Sequence, residues 1–252
     1  MDRKNTSWGS VAGWYDGLLE KEGTYQKEVV LPNLLRVLQP NKGEHILDLA
    51  CGSGFFSRAF AASGANVIGV DVARRLVELA KKDAPKNAVF HVSPAHRLPF
   101  IPSESIDKAA IVFAIQNIEN MDDALKECAR VMKRGASLHI VMNHPAFRIP
   151  KRSSWGWDET AKAQYRRIDG YMSEAAEKIQ MHPGDDPDSY TLSFHRPLQS
   201  YGKALRKHGF LIRSIEEWIS HKKSEPGARA AAENRIRKEI PMFLFLEAIR
   251  IR

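Results

Sequence analysis

From residue 44 onward, short apolar runs alternate with stretches that have the spacing of amphipathic helices. The first five predicted strands cover residues 44–50, 65–70, 88–92, 108–114 and 137–142. Strands that alternate with helices of about ten residues form parallel sheets, because each helix returns the chain to the same end of the sheet. We therefore expect an α/β fold whose sheet is mostly parallel and is covered by helices on both faces.

The alternation stops after Asn143 and resumes at Pro197. Residues 144–195 are polar and rich in Trp, Pro, Gly and His, and a helix is predicted near 159–168. The resumed pattern predicts a helix, a strand, a second helix and a final strand over 197–208, 210–218, 227–239 and 242–251. We expect seven strands and a single domain over 1–252, with an insertion at about 144–195. An insertion of this length is usually functional or disordered, and its aromatic content argues against disorder.

Composition excludes several classes of protein. Cys51 and Cys128 are the only cysteines, which excludes a disulfide framework and a multi-cysteine metal site. The first ten residues lack the apolar stretch of a signal peptide, and the longest apolar run, 109–115, is too short to cross a bilayer. We expect a cytoplasmic protein.

The net charge of +8 is unevenly distributed along the chain. Residues 1–140 contain 18 Lys and Arg against 16 Asp and Glu, and residues 141–252 contain 20 against 14. This asymmetry indicates an anionic substrate or a nucleic acid at the C-terminal part. A solvated surface with a basic bias is the alternative.

The segment ILDLACGSGFF (46–56) predicts a buried strand, a glycine turn and a helix. Gly52 and Gly54 allow the backbone to approach a ligand closely, and the unpaired N–H groups of the helix favour hydrogen-bond-accepting ligand atoms. Asp71 ends the second strand, where a carboxylate can accept both hydroxyls of a ribose. A tight turn without a ligand is the alternative.

Two residues argue against a dinucleotide at this turn. Ser57 occupies the position of the third glycine in a dinucleotide fingerprint. Asp48, just before the turn, would repel a pyrophosphate and attract an ammonium group. The pattern therefore favours a nucleoside that carries an amino acid.

DLACGSG (48–54) followed by GVD (69–71) resembles the first two motifs of class I S-adenosylmethionine-dependent methyltransferases, in particular the group of ubiquinone and menaquinone biosynthesis enzymes. The resemblance continues through four further segments, VAGWYDGLL (11–19), RLPF (97–100), SIDKAAIVFAIQNIEN (105–120) and VMKRGASLHIVM (131–142), and through the closing PMFLFLEAIRI (241–251). It implies a Rossmann-like sheet with an antiparallel last strand. It also implies methyl transfer from S-adenosylmethionine, with S-adenosylhomocysteine as product.

The resemblance also implies roles for individual residues. Asp48 would lie near the methionine ammonium group, Asp71 would bind the ribose hydroxyls and Val72 would contact adenine. The other implied cofactor residues are Tyr15, Ala50, Gly52, Gly54, Ala95, His96 and Ala114. Relatives often carry an acidic residue where this chain has Pro94, so the backbone N–H groups of Ala95 and His96 are expected to meet the adenine ring.

Methyl transfer from a sulfonium needs alignment of the acceptor and exclusion of water, and it needs a general base only for some acceptors. His144, at the end of the fifth strand, is the candidate for a general base or an acceptor-orienting group, and a structural histidine is the alternative. The candidate acceptor-binding residues are Gln116, Asn117, Asn143, Trp155, Trp157 and Arg166. His144, His182 and His195 lack the short spacing of metal ligands, so no metal is expected.

The favoured acceptor is a small molecule, and an anionic group on it would suit Arg166 and the neighbouring Arg167. The first alternative is RNA methylation, because the group also resembles tRNA wobble-uridine methyltransferases. The second is a non-catalytic protein that binds S-adenosylmethionine and acts through a partner. We expect a monomer or a homodimer that does not span a membrane.

Overall fold

The computed structural model describes residues 8, 13, 16, 17, 21–180 and 190–252. The strands of these residues are β1 (His45–Leu49), β2 (Asn66–Asp71), β3 (Ala88–Val92), β4 (Ile106–Val112), β5 (Met132–Asn143), β6 (Ser153–Asp158), β7 (Ala163–Ile168), β8 (Ala175–Gln180), β9 (Tyr190–His195), β10 (Phe210–Trp218) and β11 (Phe243–Arg250). The α-helices are α1 (Leu31–Leu38), α2 (Phe55–Ala62), α3 (Arg74–Lys82), α4 (Met121–Val131), α5 (Leu198–Lys207) and α6 (Ala230–Glu239). None of these helices combines the length and the apolar character that crossing a membrane requires.

Seven of the strands form the central sheet, in the order β10-β11-β5-β4-β1-β2-β3. β1 to β5 pair in parallel, whereas β11 pairs antiparallel with both β5 and β10. The predicted mostly parallel seven-stranded sheet with an antiparallel last strand is therefore confirmed. Because β1 lies next to both β2 and β4, the carboxyl ends of these three strands meet at one edge of the sheet.

Each face of the sheet has its own apolar core, because successive side chains of a strand point to opposite faces. On β1, Ile46 belongs to one core together with the fully buried Phe60 of α2. Leu47, the next residue, belongs to the other core together with Leu138 of β5 and Leu205 of α5. This continuous burial explains why β1 is apolar except at His45, which is exposed, and at Asp48.

The inserted segment forms two antiparallel hairpins, β6–β7 and β8–β9. The predicted helix near 159–168 is therefore wrong, since most of that stretch is β7. Cross-strand packing outweighs the helical propensity of the segment. In the β6–β7 register Gly156 faces Tyr165, and the ring of Tyr165 lies where a side chain at Gly156 would stand.

Gly69 in β2 provides a test of how tightly the sheet packs. A Cβ atom added at Gly69 would lie 2.4 Å from the ring of Phe90 and 3.1 Å from Sγ of Cys51. We expect Gly69→Ala to lower the free energy of unfolding by roughly 1–3 kcal/mol through overpacking. Gly202→Ala in α5 is the matched control, because a Cβ atom there meets nothing within 4 Å. It should raise the free energy of unfolding by about 0.5–1 kcal/mol. Denaturant unfolding of both variants measures the difference, and equal effects would contradict the packing described for β2.

Candidate functional site

A cavity of about 110 Å³ lies where β1, β2 and β4 end. Six of the predicted cofactor residues line it: Asp48, Ala50, Gly52, Asp71, Val72 and Ala114. The sequence analysis missed further lining residues, including Trp8, Phe55, Leu76 and Ile118. These residues are apolar and widely separated in sequence, so only the fold shows that they share one cavity.

The glycine turn between β1 and α2 forms one side of the cavity. Ala50, Gly52 and Gly54 all have a positive φ, at 60°, 57° and 82°. Gly54 does not line the cavity. Its missing side chain instead allows helix packing, because a Cβ atom there would lie 3.0 Å from the ring of Phe90. Gly54 therefore positions α2, whereas Gly52 presents its backbone to the cavity.

The Asp71 carboxylate joins the glycine turn to the end of β2. Its Oδ2 accepts the N–H of Gly52 at 2.9 Å, and its Oδ1 accepts the N–H of Ala73 at 2.8 Å. The side chain is buried, and this burial raises its pKa, while the backbone donors act in the opposite direction. Each carboxylate oxygen can accept more than one hydrogen bond, so both retain capacity for a ribose hydroxyl.

Asp48 is the second carboxylate of the cavity and is almost completely buried. Ser57 Oγ donates a hydrogen bond to its Oδ2 at 2.5 Å. The pKa of Asp48 is raised to about 7, mainly by burial and also by the charge of Asp71, while the hydrogen bond from Ser57 acts in the opposite direction. A ligand ammonium group would favour the ionised carboxylate. Ser57 takes the position of the third glycine of a dinucleotide site. Here its hydroxyl stabilises the Asp48 carboxylate, which would bind the ammonium group of an amino acid.

The remaining wall of the cavity is mostly apolar. Val72 is 48% exposed although it adjoins the buried Asp71, and Leu76 and Phe55 also line the cavity. An exposed apolar side chain beside two carboxylates matches a ligand with a flat ring, a ribose and an ammonium group. The donors and acceptors present therefore fit S-adenosylmethionine.

Besides Gly54, two described residues that were predicted to bind the cofactor do not line this cavity. Ala95 and His96 are absent from its lining, and His96 is exposed. They belong to a turn in which Arg97 N–H donates to the carbonyl oxygen of Pro94 at 3.0 Å. The structure therefore gives no support to the expected backbone contacts with adenine. Tyr15 lies outside the described residues.

A larger cleft of about 510 Å³ adjoins the cavity, and Trp8, Phe113 and Asn117 line both. Phe113 has a φ of 55°, which is strained for a bulky residue. Its carbonyl oxygen accepts hydrogen bonds from the side-chain amides of Gln116 and Asn117, each at 3.0 Å. These two hydrogen bonds stabilise the strained turn at Phe113, which borders both the cavity and the cleft.

Four of the six predicted acceptor residues line the cleft: Gln116, Asn117, Asn143 and Arg166. Trp155 and Trp157 do not line it. Trp155 is 44% exposed, with the Arg166 guanidinium 4.9 Å from its ring centroid, and Trp157 lies under Arg229. The Trp155 ring packs against an arginine of the same hairpin, and the Trp157 ring packs against the arginine just before α6. Neither ring lines the cleft, which corrects the prediction.

His144 has a different environment from the one expected of a general base. Its Nε2 lies 2.7 Å from Glu217 Oε1, and its Nδ1 accepts the N–H of Ala146 at 3.2 Å. The side chain is buried, which lowers its pKa, and it lines neither the cavity nor the cleft. Both ring nitrogens are already engaged, so the geometry favours the structural alternative. His195 Nε2 contacts the carbonyl oxygen of Tyr171, and His182 is outside the described residues.

Comparisons with known proteins agree with this site. A family model described as "Methyltransferase domain" matches residues 47–140. The demethylmenaquinone methyltransferase of Tropheryma whipplei is 32% identical over 113 residues, which cover 44% of this chain and 46% of that enzyme. The chain thus spans about half the length of this relative. The demethylmenaquinone methyltransferase of Clavibacter sepedonicus is 31% identical over 207 residues, which cover 78% of this chain and 80% of that enzyme.

A solved S-adenosylmethionine-dependent methyltransferase of Mesorhizobium loti has the same fold, with a TM-score of 0.72 at 24% identity over 90% of this chain and 100% of that chain.

Asp71→Ala should weaken the binding of S-adenosylhomocysteine. The variant removes the charged acceptor of the ribose hydroxyls, and hydrogen bonds to charged groups contribute roughly 1.5–3 kcal/mol, so a loss of about tenfold or more is expected. Calorimetry measures the affinity for S-adenosylhomocysteine. Asp83→Ala is the control, because Asp83 is exposed and lies outside the cavity. Unchanged affinity in Asp71→Ala would contradict the assignment.

Cofactor affinity should depend on pH through Asp48. Below about pH 7 this carboxyl is mainly protonated and cannot attract an ammonium group as an anion. We expect the affinity for S-adenosylhomocysteine to rise roughly tenfold between about pH 6 and pH 8, with release of a proton on binding. Calorimetry in two buffers of different ionisation enthalpy measures both quantities. Asp48→Asn should bind weakly at both pH values, and the same pH dependence in this variant as in the wild type would rule out Asp48 as its source.

Proposed function

Because the chain belongs to the class I S-adenosylmethionine-dependent methyltransferases, we propose that it transfers the methyl group of S-adenosylmethionine to a small-molecule acceptor bound in the cleft. The observation that carries this proposal is the shared lining of the two spaces. Phe113 and Asn117, at the end of β4, line both the cavity and the cleft. A ligand in the cleft would therefore lie beside the reactive end of a cofactor in the cavity.

The chain's residues would act mainly by placing the two reactants. Bound S-adenosylmethionine supplies a sulfonium, which is already a good leaving group for in-line displacement. Asp71 and Asp48 would hold the ribose and the ammonium group, while Phe113 and Asn117 would border both reactants. The described lining of the cleft contains no histidine and no carboxylate. An acceptor that is already a nucleophile at neutral pH suits such a cleft better than one that must first lose a proton.

The inserted segment would select the acceptor. Its hairpins contribute Ser153, Arg166, Ile179, Thr191 and Ser193 to the wall of the cleft and contribute nothing to the described lining of the cavity. We expect the insertion to control acceptor binding with little effect on cofactor affinity, as an element that covers only one of two sites would.

A small-molecule acceptor is favoured over RNA. Both relatives described above are named as demethylmenaquinone methyltransferases, and demethylmenaquinone is a small molecule. The cleft also has the volume that is usual for a small-molecule site. A menaquinone-like acceptor is one candidate that this similarity supports.

The proposal is tested by incubating the protein with methyl-labelled S-adenosylmethionine and a fractionated cell extract. We expect label to enter the small-molecule fraction. Ile179→Trp should lower this labelling about tenfold or more, because it fills the cleft, while leaving S-adenosylhomocysteine affinity unchanged. Ala176→Trp is the matched control, since Ala176 is an exposed residue of the same strand outside the cleft.

Label confined to RNA would contradict the proposed acceptor class. Absence of any labelled product, together with intact cofactor binding, would favour the non-catalytic alternative. A loss of cofactor affinity in Ile179→Trp would show that the insertion belongs to the cofactor site.

A further inference from the structure

We propose that the acceptor carries a carboxylate or phosphate group, which Arg148 and Arg166 bind in the cleft. Its apolar part would lie against aromatic residues of the same cleft, beside the cofactor cavity. This inference rests on the proposed function and names the chemical class of its acceptor. It is carried by the placement and the hydrogen bonding of the two arginines.

Arg166 is already fixed in place. Its Nε donates to the carbonyl oxygen of Phe147 at 2.7 Å, and its Nη2 donates to Ser153 Oγ at 2.6 Å. The guanidinium also lies 4.9 Å from the ring centroid of Trp155. These contacts hold the cation at the cleft without neutralising it, because none of the three partners is an anion. A guanidinium held in this way loses little conformational freedom when it binds a further oxyanion.

Arg148 supplies the second cation. It follows directly after Phe147, the residue whose carbonyl oxygen holds Arg166, and both arginines line the cleft. The side chain is exposed to solvent, and within the described chain its guanidinium makes no hydrogen bond and no ion pair. Surrounding protein lowers the pKa of both Arg148 and Arg166, and the charge of Arg148 lowers the pKa of Arg166 further. Two cations that line one cleft and repel each other favour a shared anion.

The rest of the cleft does not provide that anion. Among the described lining residues there is no aspartate and no glutamate, and the third cation, Lys151, already pairs with Glu177 at 3.4 Å. Fixed carboxylates therefore neutralise the lysine but not the arginine pair. A planar guanidinium pair matches the oxygens of a carboxylate or a phosphate.

The cleft also has an aromatic wall. The rings of Phe113 and Tyr25 both pack against Phe243, with centroid distances of 5.0 and 5.6 Å. All three residues line the cleft, and Phe113 lines the cofactor cavity as well. An acceptor with its anion on the arginines would therefore place its apolar part against these rings, next to the cofactor.

The test compares three probes of similar shape on protein saturated with S-adenosylhomocysteine: phenyl phosphate, phenylacetate and the neutral phenylacetamide. Calorimetry should show that at least one anion binds about tenfold or more tightly than phenylacetamide. The anionic probe that binds more tightly shows whether the acceptor's anionic group is a phosphate or a carboxylate. Arg148→Met keeps a long apolar side chain and removes the charge. It should abolish most of the preference for the anion and leave the affinities for phenylacetamide and S-adenosylhomocysteine unchanged.

Arg167→Met is the matched control, because Arg167 is exposed, pairs with Asp169 at 2.9 Å and does not line the cleft. Equal binding of the neutral and anionic probes by the wild type would overturn the inference. Full retention of the anion preference in Arg148→Met would overturn it as well. A protein that binds S-adenosylhomocysteine but shows no charge preference contradicts this inference alone, whereas one that does not bind S-adenosylhomocysteine contradicts the proposed function. If Arg148→Met fails to fold, the comparison of probes on the wild type decides the question.

Discussion

The hydrogen bonds between the Asp71 carboxylate and the N–H groups of Gly52 and Ala73 join the parts on which the cofactor site depends. They connect the end of β2 to the glycine turn that follows β1, so two neighbouring parallel strands end in one shared structure. Because the bonds engage backbone groups on both sides of the carboxylate, they hold it at the edge of the sheet. The shape of the cavity follows from that position.

Burial of two carboxylates in this cavity creates an electrostatic requirement. Asp48 and Asp71 both have raised pKa values because the surrounding residues exclude water, and the charge of Asp71 contributes to the raised pKa of Asp48. Two buried acids without a cation are costly, whereas a ligand that brings an ammonium group and ribose hydroxyls satisfies both. The neighbouring cleft has the opposite character, because its unneutralised charges are those of Arg148 and Arg166. A zwitterionic cofactor and an anionic acceptor would thus be drawn to different places.

The sequence predicted the features that depend on local patterns. Alternating apolar runs indicated the sheet, and the spacing of Asp48, Gly52 and Asp71 indicated which residues share its edge. Features that depend on distant contacts were missed or wrong. The hairpin of β7 depends on pairing with β6, and the tryptophans of β6 pack against arginines that periodicity cannot place. Arg148 was not predicted, because only the fold shows that it lines the same cleft as Arg166.

A crystal structure of the chain bound to S-adenosylhomocysteine would show whether Asp71 organises the cofactor site. We expect both ribose hydroxyls to lie within hydrogen-bond distance of the Asp71 carboxylate, while that carboxylate keeps its bonds to Gly52 and Ala73. The ligand's ammonium group should face Asp48, and its adenine should cover Val72. A ribose held by other residues, with Asp71 bonded only to the backbone, would show that Asp71 does not bind the cofactor.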